Sequence, residues 1–286
     1  MAGRPGPARY WSAGEGRLVL PALAFFAAIY LYPLSRLFAW SLFTPGFSLA
    51  HYQALFAQPA YLRALQNTIE ISLSVTALAL LLGYPLAFLM VTVSPRARRL
   101  VLACILVPFW TSILVRTFAW MVILGKNGLV NQLLVGLGLV GQPLQLIHNW
   151  LGVQIGMVHV LLPFMVLPLY SVMTRIDPAL LRAARSLGAR PRQAFRRVFL
   201  PLSLPGVGAG CVLVFMSAVG FFITPALLGG PRQITIAMLI DLMINDLLNW
   251  GFGATLGIVL LTVVGVLFTL YNSLMGFERL WESGKA

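Results

Sequence analysis

Apolar residues run through this chain in six long blocks, separated by short polar segments. A helix needs about 20 such residues to cross a bilayer. The blocks predict membrane-spanning helices at roughly 18–42, 68–93, 100–124, 150–174, 199–226 and 253–277. The second, third and sixth are the cleanest. The fifth carries Pro201, Pro205 and Pro225, each of which removes a backbone donor, so a kink or break is expected there. The expected fold class is all-α: a polytopic membrane protein in one transmembrane domain, residues 1–286.

One polar segment has a pattern of its own. Residues 175–197 hold seven arginines and one aspartate. Asp177 can cap a helix, and Pro178 then occupies the favoured first helical position. Leu180, Ala183, Ala184 and Leu187 follow at i, i+3, i+4, i+7 spacing and share one face, while Arg182, Arg185 and Ser186 point elsewhere. Gly188 supplies a stop that tolerates a left-handed residue. Pro191 can open a second short helix, with Phe195, Val198 and Phe199 on one side and Arg192, Arg196 and Arg197 on the other. The expectation is two short helices with a bend, displayed in the cytoplasm for a partner.

Composition supports the membrane reading. The chain is 59% hydrophobic and 9% charged, with mean hydropathy +0.89. A net charge of +13 would admit nucleic acid as a partner, but the placement of the charge argues otherwise. With the N-terminus inside, cytoplasmic segments hold fifteen Lys and Arg residues, among them Arg4, Arg9, Arg17, Arg96, Arg98, Arg99, Arg279 and Lys285. The outer segments hold three: Arg63, Lys126 and Arg232. That asymmetry is the positive-inside pattern, and it predicts both termini in the cytoplasm. The N-terminal block is too long for a secretory signal and lacks a cleavage site, so it is expected to be a retained first span.

Motifs for chemistry are absent or misleading. GLGLVG at 136–141 matches GxGxxG, yet no strand precedes it, and a flexible loop is expected instead. No GxxxxGK[ST] occurs, so an ATP-driven process would need its ATPase on another subunit. His51, His148 and His159 lack metal-ligand spacing, and Cys104 and Cys211 fall inside apolar blocks. His159 could be a satisfied polar contact or could line a pathway. No catalytic residue and no metal site is expected.

The intramembrane polar groups are more informative. Arg116, placed by count near the outer half of the third span, could meet substrate or pair with Glu70, Asp241 or Asp246. Arg36 is expected to be partnered or snorkelling. Gly206 with Gly210, and Gly253 with Gly257, form GxxxG pairs that pack helices closely, within the chain or across a subunit interface. A break in GFFITPALLGG, residues 220–230, would free backbone groups that only protein or a water-filled cavity can receive. That places Phe221, Phe222 and Thr224 beside a path, where the two phenylalanines could gate it or simply pack.

The string Arg182-Ala183-Ala184-Arg185-Ser186-Leu187-Gly188 resembles the EAA loop of ABC importer permeases, in which EAA is followed three residues later by Gly. VPFWTSILVR (107–116), the Gly-Leu-Val-Asn run (128–131), LLPFMVLPLY (161–170), PALLGG (225–230) and the Asn-Trp-Gly-Phe-Gly-Ala run (249–254) are similar to the spermidine/putrescine permease family. The resemblance implies a type I importer fold, a periplasmic binding protein, a second homologous permease and two ABC ATPase subunits that hold ATP and Mg. It also implies a coupling loop at about 175–198 whose helix, about 178–187, enters an ATPase groove. Asp177, Leu180, Ala183, Ala184, Leu187 and Gly188 are then the coupling residues. The motif glutamate is Arg182 here, and a family acid after the alanines is Ser186, so contacts made by those acids do not carry over.

A polyamine path should favour carboxylates and aromatic faces. Trp110, Phe118, Trp120, Phe221, Phe222 and Trp250 supply aromatics. Acids are few, and an exposed Arg116 would repel a polycation, which leaves room for an anionic or zwitterionic substrate. Related permeases carry opines, aminophosphonates, amino-acid-like compounds or iron chelates. A secondary transporter is the rival class, but no internal repeat and no deep carboxylate speaks for it.

Overall fold

In the computed structural model, residues 16–44 and 46–275 are described, which leaves Arg4, Arg9, Arg279 and Lys285 outside. Among them every regular element is a helix. The first span comprises α1 (Gly16–Phe26), a π-helical turn and α2 (Tyr32–Phe43). A short α3 (Ala50–Ala57) leads into the long α4 (Pro59–Thr92). Then come α5 (Pro95–Leu106), α6 (Ile113–Leu124), α7 (Leu129–Gly136) and the central α8 (Trp150–Met173). The arginine-rich segment forms α9 (Pro178–Ser186) and α10 (Pro191–Ala194), followed by α11 (Leu200–Val219). Two short helices, α12 (Ile223–Leu228) and α13 (Ile236–Asp241), precede α14 (Trp250–Met275). Among the described residues six stretches are long and apolar enough to cross a membrane: Val19–Phe43, Pro59–Thr92, Ile113–Gly136, Trp150–Met173, Pro191–Val219 and Trp250–Tyr271.

The core is the packing of α8 against α4 and α11. Met157, Leu161, Met165, Leu169 and Met173 of α8 are fully buried along this seam. Glycines let the helices approach. A β-carbon at Gly210 would lie 2.7 Å from Met165 Sδ and 3.1 Å from the Met165 carbonyl oxygen, and one at Gly83 would meet Met165 Cγ at 2.8 Å. Gly206 meets the α8 backbone at Leu169, Gly253 meets Ile244, and Gly257 meets Leu37. Both GxxxG pairs therefore pack inside the chain. Tyr84 and Ser203 join α4 to α11 at 2.9 Å, and Gln154 donates to Ser74 Oγ at 2.8 Å to join α8 to α4. The first span packs chiefly on α14 and leaves its apolar side chains exposed, as a lipid-facing helix does.

Three expectations are corrected. The expected third span, 100–124, is not one helix. Pro108 cannot donate to the Cys104 carbonyl, so α5 ends at Leu106; a tight turn at Pro108–Trp110 and extended Thr111 and Ser112 follow. Arg116 consequently sits in the first turn of α6, near the start of the Ile113–Gly136 span. The second short helix is not separate either. Pro191–Ala194 continues through a π-helical turn, Phe195–Phe199, into α11, and the wide turn ends two residues before Pro201. The GLGLVG run is no free loop: Gly136 ends α7, and Gly138 at φ +69° closes it with back-bonds from Gly138 N–H to Val135 and Leu139 N–H to Leu134.

Gly210→Val should push α11 off α8. The expected cost is about 1–3 kcal/mol, read as a lower unfolding temperature of the detergent-solubilised protein; Gly136→Val, in open space, is the control.

Candidate functional site

At one end of the bundle α9 stands out from the core as a closed, capped unit. Asp177 Oδ1 accepts from Ala179 N–H at 2.8 Å, and Pro178 opens the helix. Its far end closes with Gly188 N–H on the Arg185 carbonyl and Ala189 N–H on the Ala184 carbonyl, a turn that needs the left-handed Gly188 at φ +85°. Leu181 faces inward and packs on the main core beside Ile176 and Phe195. The apolar stripe read from the sequence faces outward: Leu180 is 46% and Leu187 90% exposed, and Ala183 is exposed as well. Beside Leu187 lies a hollow of about 360 Å³ lined by Ala184, Gly188, Gln193, Arg197 and Val198 among others.

A second feature lies in the membrane, where the broken third segment crosses α8. A cavity of about 380 Å³ is walled by Cys104, Ile105, Pro108, Phe109, Leu162 and Pro163, with Arg116 and His159 as its polar lining. Arg116 Nε is buried there with no hydrogen-bond partner. Among the described residues no ion pair joins Arg116 to Glu70, Asp241 or Asp246. Trp120 Nε1 donates to His159 Nδ1 at 3.2 Å, and the two rings meet edge to face. An indole N–H only donates, so His159 Nδ1 is the acceptor and the ring hydrogen sits on Nε2. His159 is thus a satisfied polar contact, and it also lines the cavity.

The break in the 220–230 segment falls at Gly220–Phe222, after which α12 turns back against α6 and α8. Thr224 is fully buried and its hydroxyl lies 3.3 Å from that of Thr117 on α6. Leu228 O accepts from Asn149 N–H at 3.3 Å. Gly156 gives α12 its seat: a β-carbon there would lie 2.7 Å from Thr224 Cγ2. Asn67 Nδ2 donates to the carbonyls of Arg232 and Ile234, and Thr68 Oγ1 accepts from Ile236 N–H, so α4 holds the chain that follows this segment.

The residues singled out from the sequence therefore fall into separate groups. Arg116 and Trp120 meet through His159 around the cavity. Trp110, 86% exposed, lies outside the cavity lining on the flank of the break. Phe221 packs against the main core, while Phe222 is exposed at the bend. Thr117, Gly156 and Asn67 had no part in the sequence reading. Gly152 and Gly156 form a GxxxG pair in the fourth span, a signal that was available. Asn131, singled out only as part of the Gly-Leu-Val-Asn run, is buried and ties the loop after α7 by bonds to Gly125 and Leu144.

Together these features define a class: a polytopic α-helical membrane protein with broken spans, a mostly apolar cavity that holds Arg116 and His159, and a capped helix displayed at one end. The chain belongs to the family of binding-protein-dependent transport system inner membrane components, whose model matches residues 79–276. It is 39% identical over 224 residues to the spermidine/putrescine transport system permease protein PotB of Haemophilus influenzae, covering 78% of each chain. PotB of Escherichia coli K12 is 37% identical over 225 residues, 79% of this chain and 82% of that one. The permease fold also recurs in the crystal structure of a bacterial alginate ABC transporter in complex with alginate pentasaccharide-bound periplasmic protein. That match has TM-score 0.72 and 22% identity, covering 91% of this chain and 92% of that one. The protein is a permease subunit of an ABC importer, a transport component rather than an enzyme.

Thr117→Val would strand the Thr224 hydroxyl in the core. A cost of about 1–3 kcal/mol is expected, seen as a lower melting temperature in detergent, with Thr117→Ser close to wild type. Equal melting temperatures for all three proteins would detach α12 from this bond.

Proposed function

We propose that this permease carries a polyamine of the spermidine or putrescine type, delivered by a periplasmic binding protein, across the inner membrane. The observation that carries the reading is the 39% identity to PotB over 78% of both chains. The permease works beside a second, homologous permease, and two ATPase subunits bind ATP and Mg. The fifteen-to-three charge asymmetry supports an orientation with α9 and both termini in the cytoplasm. The alginate transporter, whose complex holds a periplasmic protein, supports the binding-protein step on the opposite face.

In this reading α9 enters the ATPase groove with Leu180, Ala183, Ala184 and Leu187 as its contact stripe. Asp177 and Gly188 fix the two ends of that helix. ATPase closure pushes on α9, Leu181 passes the displacement to the core, and α4, α8 and α11 tilt to open the path. Arg116, Trp120, Phe221 and Phe222 lie along that path, with Trp110 at its flank and Thr224 holding the bend. Arg116 supports a second reading, an anionic or zwitterionic solute such as an amino-acid-like compound, because a guanidinium repels an ammonium.

Uptake of labelled spermidine in cells that express the permease with its ATPase, second permease and binding protein tests the assignment. A competing amino-acid-like solute separates the two readings. Proline fixes φ near −65°, so Gly188→Pro cannot form the turn that closes α9. Gly188→Pro, and Ala184→Trp in the hollow, should abolish uptake while membrane insertion stays normal. Normal uptake at normal expression would remove α9 from coupling. Cys104, exposed in the Arg116 cavity, reports on the path itself. It should react with a membrane-impermeant maleimide in the assembled complex and lose that reaction in Cys104→Ala. Reaction with lipid-soluble reagents alone would place Arg116 on the lipid side.

A further inference from the structure

In the cavity between the broken third segment and α8 we infer a binding site for a small monovalent anion, a halide or a short carboxylate, built from Arg116 and His159. The cavity, about 380 Å³, is otherwise walled by apolar side chains such as Leu86, Leu100, Val101 and Leu162. Its strongly polar side chains offer donors only. Arg116 presents guanidinium N–H groups, and its buried Nε has no acceptor among the described residues. The Trp120 indole takes up His159 Nδ1 at 3.2 Å, which leaves Nε2–H as the other polar atom of that ring. Trp120 is thereby a positioning residue, since its bond sets which nitrogen of His159 carries the hydrogen. Ser112, the residue before α6, caps none of the first N–H groups of that helix with its side chain, and Arg116 stands in the same turn. The positive end of α6 therefore adds to the guanidinium instead of offsetting it.

Among the described residues no carboxylate pairs with Arg116. Pro108 and Pro163, both in the cavity wall, cannot donate to the Cys104 and His159 carbonyls, but a carbonyl carries no net charge and cannot cancel one. A guanidinium keeps its charge in a protein, so that charge is met by water or by an anion. Water satisfies the donors and leaves the charge facing apolar walls. An anion meets both needs, and hydrogen bonds between charged partners are about twice as strong as neutral ones. One guanidinium beside a neutral imidazole matches a single negative charge; a divalent anion would leave charge over in an apolar cavity. A water's share of liquid volume is about 30 Å³, so chloride or acetate fits with part of its hydration shell. An anion held there would also remove the repulsion between Arg116 and an ammonium group. That last consequence rests on the polyamine path proposed above, whereas the binding does not.

The probe is chloride, followed by the NMR linewidth of the free ion, which broadens when the ion exchanges with a protein site. The complete complex, both permeases with their ATPase, is used without solute, in nanodiscs of phosphatidylcholine alone and with anionic phosphatidylglycerol added. In both lipids wild type should give saturable broadening that bromide and acetate displace. Arg116→Gln, which leaves no charge to bury, should weaken the binding about tenfold. Arg116→Lys, which keeps the charge but not the fork, should retain part of it. His159→Ala should weaken it severalfold. Equal binding in wild type and Arg116→Gln, at equal yield of intact complex, would place chloride elsewhere in the complex and overturn the site. Binding abolished by phosphatidylglycerol would give Arg116 to a lipid phosphate and overturn a site for a free anion. No saturable broadening in wild type would overturn it as well, leaving the guanidinium to water or to a carboxylate of the solute. Binding is read without transport, so a failed spermidine uptake would sink the polyamine reading and leave this result standing.

Discussion

Inside a bilayer no water is at hand for a peptide group, and every turn in this fold answers to that constraint. An unbroken helix satisfies it automatically. This chain breaks helices at two depths, at Val107–Ser112 and at Gly220–Phe222, and must satisfy the freed groups from elsewhere. It does so with side chains and backbone groups in the breaks themselves and on neighbouring helices. Thr111 Oγ1 donates to the Pro108 carbonyl, Thr117 meets Thr224, Asn149 reaches the Leu228 carbonyl, and Asn67 and Thr68 hold the chain from Arg232 to Ile236. The breaks are therefore held in place by partners, which is what allows polar residues to face a cavity between spans.

The same constraint divides the surface of the molecule. The buried seam is narrow, a line of methionines and leucines on α8 met by glycines of α4 and α11. Most large apolar side chains outside it are exposed, from Phe25 and Phe26 in the first span to Phe268 and Leu270 in the last. In water such a surface would aggregate; in lipid it is the normal exterior. The polar exceptions, Arg116 with His159 and the Tyr84–Ser203 pair, lie between helices.

What the sequence made legible follows from how local each signal is. Span number and the capped form of α9 depend on neighbouring residues, so apolar runs, Asp177-Pro178 and Gly188 were enough. The break at Pro108 was missed because apolar residues continue on both sides of it, although proline followed by Thr111 and Ser112 is a stop signal. The fifth segment was expected to kink or break at its prolines and to break in the 220–230 run. Pro201 and Pro205 are carried within α11, while the break comes at Gly220–Phe222, inside that run. Thr117 with Thr224, 107 residues apart, was out of reach of any local pattern. So was the neighbourhood of Arg116, which a count along an unbroken helix placed late in the span rather than at its start.

The aromatic cluster behind α9 has a mechanical consequence. Phe195 stacks on Phe199 at 5.7 Å, Phe88 lies edge-on to both at 5.4 and 5.2 Å, and Tyr84 meets Phe195 at 6.3 Å. Flat rings interlocked at these angles resist sliding more than flexible aliphatic chains do. They weld the root of α11 to the lower part of α4, directly beneath the inward side of α9. The stub of the arginine-rich segment is thus tied by rings to α4 as well as to α11. Any displacement of that stub would be shared by two spans instead of being absorbed at the joint.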